Sequence, residues 1–341
     1  MMIKEAIEWV SDKRSLNMDQ AQMVMAQIMN GEATESQLGA FLIALRMKGE
    51  SSEEIAGLAT IMRDKSLRVM IDDILVDTCG TGGDGSGTFN ISTAAAFVAA
   101  GAGLKVAKHG NRAASGICGS ADVLEALGVK IDLGPDGVKR CIDEVGIGFM
   151  FAPIFHPAMR YAAPVRKDIG VRTVFNMLGP LTNPALVKNQ LLGVADVSTG
   201  ERMIDVLKLM GSVHSLVVYG EDGLDEMTLG GSTHVWELRG DLVDRYVVAP
   251  EDLGLASIPM SSLKGGTPTE NAHLLRKLMF GEQGPHREIV LLNSAGVLLA
   301  GDKVSNLEEG IKTAAEVLDG GEALLRMEGL IELSQELGFQ E

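Results

Sequence analysis

The chain changes its hydrophobic period once, at Ile74, and that switch constrains its fold more than any other feature. Before it, apolar residues recur at helical spacing from Ile3 to about Met70, with Ile3, Ile7 and Val10 on one face. Asn17 with Gln20, Thr34 with Gln37 and Ser51 with Glu54 repeat one arrangement, in which an N-cap oxygen and a side chain three residues on satisfy each other's backbone N–H groups. Gly31 stops the second helix. These residues predict a small all-helical unit over 1–72. From Ile74 the run Ile74-Leu75-Val76 is continuous, and it ends in Asp77-Thr78 and a glycine cluster, as a buried parallel strand does.

Further strands are expected at 105–109, 129–132, 147–151, 191–195 and 216–219. Helices are expected at 93–100, 121–127, 137–145 and 200–210, the last three stopped by Gly128, Gly146 and Gly211. Alternation of this kind gives an α/β class: a small all-helical N-terminal domain plus a larger domain with a mostly parallel central sheet flanked by helices. Such sheets hold ligands beyond the carboxyl ends of their strands, so the loops after Thr78, Lys108 and Tyr219 are where chemistry is expected.

The length of 341 residues suits two domains, and 46 acidic against 30 basic side chains leave a net charge of −16. That balance argues against nucleic acid or an anionic membrane as a partner, because both require a basic footprint. Lys4, Glu5 and Glu8 interrupt any export signal, and the apolar stretch 91–104 is too short to cross a bilayer. Three cysteines, Cys79, Cys118 and Cys141, exclude a disulfide scaffold and predict reduced thiols in a cytoplasmic protein.

Gly80-Thr81-Gly82-Gly83-Asp84-Gly85 matches the dinucleotide pattern G-x-G-x-x-G, yet three features oppose that reading. Asp84 would repel a bare pyrophosphate, the next helix is expected to start only near Ser92-Thr93, and the second strand ends in Lys108-His109 where a ribose-binding acid belongs. No Gly-Lys-Ser/Thr closes the loop, which excludes Walker A. The segment Asn90-Ile91-Ser92-Thr93 instead offers amide and hydroxyl groups at a helix N-terminus, suited to an anion. Lys108-His109-Gly110-Asn111-Arg112 adds two cations, an imidazole and an amide directly after a strand, again suited to phosphate.

Together with Asp77-Thr78-Cys79 before the glycine loop and Gly119-Ser120-Ala121-Asp122-Val123-Leu124-Glu125 after the basic segment, these motifs resemble the anthranilate phosphoribosyltransferase family. The resemblance continues in order through Phe151-Ala152-Pro153, His156-Pro157, Arg166, Arg172-Thr173, Phe175-Asn176 and Leu178-Gly179-Pro180-Leu181-Thr182-Asn183-Pro184. It ends with Asp222-Gly223-Leu224-Asp225-Glu226 and Glu270-Asn271-Ala272, and so covers nearly the whole chain. One departure stands out: where the family often has paired serines and a third two residues on, this chain reads Ser115, Gly116, Ile117, Cys118.

The resemblance implies transfer of a 5-phosphoribosyl group from phosphoribosyl pyrophosphate (PRPP) to the amine of anthranilate, with release of pyrophosphate, in tryptophan biosynthesis. It assigns PRPP to Gly80, Thr81, Gly82, Gly83, Asp84, Thr88, Asn90, Ser92, Thr93, Lys108, Ser115 and Gly116. Anthranilate falls to Gly80, His109, Asn111, His156, Arg166 and Gly179, and magnesium, two ions per site, to Ser92, Asp225 and Glu226. No covalent nucleophile is implied. Residues 165–190 are expected to join the helical domain, leaving 73–164 and 191–341 as the α/β domain, and a homodimer through the helical domain is a family expectation. An acidic chain with an anionic substrate must gather positive charge locally, for which Lys108, Arg112, Arg166 and Arg172 are the candidates. A pyrimidine-nucleoside phosphorylase or a nucleic-acid-binding relative are alternatives; Asp225-Glu226 opposes the first and the net charge the second.

Overall fold

A computed structural model describes residues 1–113 and 116–338. Helices α1 (Ile3–Ser11), α2 (Met18–Met29), α3 (Glu35–Lys48) and α4 (Ser52–Asp64) form the N-terminal bundle. The three expected caps are present, with Asn17, Thr34 and Ser51 each accepting from the N–H three residues on. α2 and α4 approach so closely that a Cβ on Gly57 would lie 2.8 Å from the Ala21 Cβ.

β1 (Leu75–Gly80), α5 (Ile91–Gly101), β2 (Lys105–Gly110), α6 (Ser120–Leu127), α7 (Pro135–Val145) and β3 (Ile147–Phe151) follow. Short helices α8 (Ala152–Phe155), α9 (Ala163–Ile169) and α10 (Phe175–Leu178) then carry the chain back across the bundle. β4 (Asn189–Gly193), α11 (Val197–Leu209), β5 (His214–Gly220), β6 (Thr233–Arg239) and β7 (Leu242–Val248) complete the sheet. Helices α12 (Pro268–Met279), α13 (Pro285–Ala300), α14 (Leu307–Gly320) and α15 (Glu322–Gly338) close the chain.

The sheet order is β3-β2-β1-β4-β5-β6-β7, parallel from β3 to β5 and antiparallel across β5-β6-β7. Two expectations are corrected. Residues 129–132 form a turn, not a strand: Val129 and Ile131 are apolar because they pack into the core beside α15, not because they pair. The hairpin β6-β7 was not anticipated. It turns at Gly240-Asp241, and β7 is largely exposed, so its sequence lacks the continuous apolar run that marks the inner strands.

Adjacent residues of β4 and β5 face opposite cores, as the two-residue period requires. Leu191 and Leu216 join α5 and α13, while Leu192 and Val217 join α11 and the N-terminal bundle. Ala162, Val165, Val174, Phe175, Leu178 and Leu181 bury into that second core. Asn183 pins the returning segment, donating through Nδ2 to Asp77 Oδ2 and the Ala107 carbonyl at 2.8 Å each. The strand order reverses between β1 and β4, and their carboxyl ends are therefore the place to look for a ligand.

Candidate active site

Gly80 and Gly193 sit side by side in the β1–β4 register, at the ends of their strands. A Cβ on Gly80 would overlap the Asp225 carboxylate, and one on Gly193 would overlap the Asp225 carbonyl. Two glycines thus let the loop after β5 lie directly across the strand ends. Gly193 was missed from the sequence; its signal was a glycine closing a buried strand. Thr81 N–H donates to Gly193 O at 2.9 Å and Gly82 N–H to Asp225 Oδ2 at 2.7 Å. Gly82 and Gly83 have φ of 69° and 77°, a region costly for other residues. Arg172 reaches over the loop from the returning segment, donating to Gly83 O at 3.0 Å.

Asp225 and Glu226 form an acidic pair with Asp84 beside them. Burial and the neighbouring Asp84 push the Asp225 carboxyl up to about 7. Burial and Asp225 push Glu226 up to about 8. Lys108, only 2% exposed, lies near this acid cluster; its Nζ donates to Thr78 O at 2.7 Å and reaches Ser92 Oγ at 3.5 Å. Buried carboxyls in excess of cations are a donor set for a hard divalent ion. Among the described residues no three His, Cys, Asp or Glu side chains close a cage. Carboxylate oxygens are the ligands magnesium takes, with waters and substrate oxygens completing its shell.

α5 starts at Ile91, slightly before the expected Ser92-Thr93, with Asn90 at its N-cap. Asn90 makes no capping bond to its own helix. Among the described residues the buried hydroxyls of Thr81 and Thr93 have no hydrogen-bond partner. Thr88 pairs its hydroxyl with Ser86 at 3.2 Å and its backbone with Lys264. Gly116 is exposed with open space around it, and Ser115 lies outside the described residues.

On the other side of β2, His109 and His156 meet Nε2 to Nε2 at 3.2 Å. Burial and the facing ring hold His109 down to about 3, and burial holds His156 down to about 4. Both are neutral, so the hydrogen between them belongs to one ring and the other accepts it. The backbone of Gly179 lies beside the His109 ring and that of Thr182 beside the His156 ring. Arg166, partly buried on α9, stacks its guanidinium 5.0 Å from the Phe175 ring centre. Among the described residues that guanidinium has no carboxylate or carbonyl partner, although burial lowers its pKa. Asn111 is exposed, its Oδ1 accepting from Arg112 N–H at 2.8 Å.

Arg112 is a correction. Glu125 grips it with both oxygens, at 2.8 and 3.0 Å, and Asp122 adds a third contact at 3.0 Å. Its charge is already neutralised by the helix behind it and is not a free contribution to an anion site. Lys108 and Arg172 are cations that the structure sets against the end of β1 and the glycine loop, while Arg166 stands on α9 against Phe175.

Two family models cover the chain: "Glycosyl transferase family, helical bundle domain" over residues 4–66 and "Glycosyl transferase family, a/b domain" over 72–324. The chain is 54% identical over 338 residues to an anthranilate phosphoribosyltransferase of Dehalococcoides mccartyi, covering 98% of this chain and 99% of that protein. It is 54% identical over 337 residues to the same enzyme of Chloroflexus aggregans, covering 98% and 99%. The crystal structure of anthranilate phosphoribosyltransferase (TrpD) from Thermus thermophilus superposes with a TM-score of 0.92 at 44% identity, covering 97% of this chain and 99% of that one. The Saccharomyces cerevisiae enzyme in complex with PRPP and Mg superposes at 0.90 with 28% identity, covering 98% of each. A helical bundle on a switch-point sheet, a glycine loop facing paired acids, and kinship along the whole chain agree: this chain belongs to the anthranilate phosphoribosyltransferase family.

Proposed function

We propose that the chain carries out its family's reaction at the β1–β4 junction, joining the phosphoribosyl group of PRPP to the anthranilate amine and releasing pyrophosphate. The observation that carries this reading is the opposition of the glycine loop at 80–84 to Asp225 and Glu226 across the strand ends. Breaking the ribose C1–O bond leaves a cationic sugar and a highly charged pyrophosphate, so the protein's work is binding and charge neutralisation. Gly80, Thr81, Gly82 and Gly83 bring backbone close to the pyrophosphate, with Asp84 at the edge of the loop. Asn90, Thr93 and Lys108, with Thr88, Ser115 and Gly116, hold the phosphoribosyl part. Asp225, Glu226 and Ser92 would hold magnesium, two ions per site on the family's pattern, and its positive charge would offset that of the leaving group.

Anthranilate fits the other side, where Gly80, His109, Asn111, His156, Arg166 and Gly179 contribute. Because both histidines are neutral, Arg166 is the cation that meets the carboxylate, and its planar fork suits that group. The neutral amine is already nucleophilic, so no protein base is needed to start the reaction.

A homodimer through the helical domain follows the family's pattern, and Met2, Met23 and Met47 are exposed on that domain. Three unpaired cysteines support a reducing, cytoplasmic setting. Purified protein given magnesium and PRPP is expected to consume anthranilate, seen as loss of its fluorescence. No turnover there, with turnover of a nucleoside and phosphate instead, overturns the reading.

A further inference from the structure

Asn90 does not cap its helix, and its amide is tied elsewhere. Its Oδ1 accepts from Asn271 Nδ2 at 2.9 Å and from the Cys118 thiol at 3.4 Å. Its Nδ2 donates to Cys118 O at 3.2 Å. Asn271 is 1% exposed on α12, and its own Oδ1 accepts from Gly266 N–H at 2.7 Å. The segment before α12 is laced to the end of the glycine loop, Gly265 N–H donating to Gly87 O at 2.9 Å and Phe89 N–H to Leu263 O at 3.1 Å.

A side-chain amide can be turned end for end at little cost in shape, so its direction is set by its partners. Here the direction is anchored by a group that cannot turn. Gly266 N–H is a fixed donor, which obliges Asn271 to point its oxygen there and its NH2 toward Asn90. Asn90 must then offer its oxygen to Asn271, and its NH2 lies on the opposite end of the amide. One of those hydrogens goes to Cys118 O; among the described residues the other has no acceptor. Cys118, standing where the family has a serine, still supplies an S–H to the same oxygen.

We propose that Asn271 is a positioning residue for PRPP: without touching substrate, it fixes the polarity of Asn90 so that Asn90 meets the substrate as a donor. This rests on the reading above that Asn90 binds the phosphoribosyl group. A donor stabilises phosphate or ribose oxygen, whereas a turned amide would present oxygen to oxygen.

The test is Asn271→Asp, nearly identical in shape but unable to donate, and most easily satisfied by an Asn90 turned the wrong way. Its KM for PRPP is expected to rise about tenfold, the weight of one misdirected hydrogen bond. KM for anthranilate stays as in the parent; a carboxylate buried at 271 also lowers Tm, so the split between the two KM values is the readout. Asn271→Ser, which frees Asn90 without reversing it, is expected to raise KM for PRPP less than Asn271→Asp does. In an Asn90→Ala background, Asn271→Asp should add nothing. A full additional effect in that background, a larger effect from Ser than from Asp, or equal changes in both KM values overturns the relay. An Asn90→Ala protein whose KM for PRPP is unchanged overturns the underlying assignment of Asn90 instead, and the relay with it.

Discussion

Gly82 N–H donates to the carboxylate of Asp225 at 2.7 Å, joining two loops 143 residues apart in the chain. Through that bond the glycine loop and the acidic pair form one unit, and the end of β1 is tied to the loop after β5. The consequences begin with Asp225. Asp225→Asn keeps the shape and the acceptor but removes the charge. The PRPP-dependent rise in Tm produced by magnesium, measured by thermal unfolding, is expected to disappear, and kcat/KM for PRPP to fall roughly a hundredfold. A magnesium response equal to that of the parent would remove Asp225 from the metal site.

Gly193→Ala tests the close approach of the two strand ends. Its Cβ would overlap the backbone of Asp225, which a rotamer change cannot relieve, so stability should fall by about 1–3 kcal/mol along with activity. Gly80→Ala meets the Asp225 carboxylate, which can swing away. It should keep most of its stability and lose most of its activity. Urea unfolding beside steady-state kinetics separates the two.

Arg166→Ala is expected to raise KM for anthranilate by about tenfold to a hundredfold, with KM for PRPP nearly unchanged, as loss of a charge-assisted pair predicts. Arg166→Lys should recover only part of this, because a point charge cannot form the two parallel bonds. Full recovery in the lysine variant would argue for charge alone.

The buried histidines give a pH dependence of defined sign. His109 and His156 are held to about 3 and about 4 in the fold, below the usual value of 6.5. The unfolded chain therefore binds more protons than the native one between these values. The stability they share is intact above about pH 6.5 and is lost as pH falls toward 4. His156→Gln should flatten the fall in Tm across that window; an unchanged slope would show that other groups govern it.

Much of this was legible in the residues. The capping boxes at Asn17, Thr34 and Ser51 and the stops at Gly128 and Gly146 are local chemistry, and local chemistry survives folding. The acidic pair was legible only as part of a motif; what makes it unusual is the burial beside Gly80 and Gly193, a juxtaposition no short window contains. Arg112 misled for the complementary reason. Its neutralising partners Asp122 and Glu125 lie 10 and 13 residues on, in a helix whose orientation the sequence does not state. β7 was missed because an exposed antiparallel edge need not look apolar, and 129–132 was misread because a buried turn can.

Pyrophosphate is expected to leave from the glycine loop as anthranilate is consumed. Phosphorus NMR of a reaction containing the protein, PRPP, anthranilate and magnesium measures this directly. One pyrophosphate per anthranilate consumed, abolished by chelating the magnesium, is the predicted result. Anthranilate left intact, or PRPP hydrolysed at the same rate without it, would contradict the account.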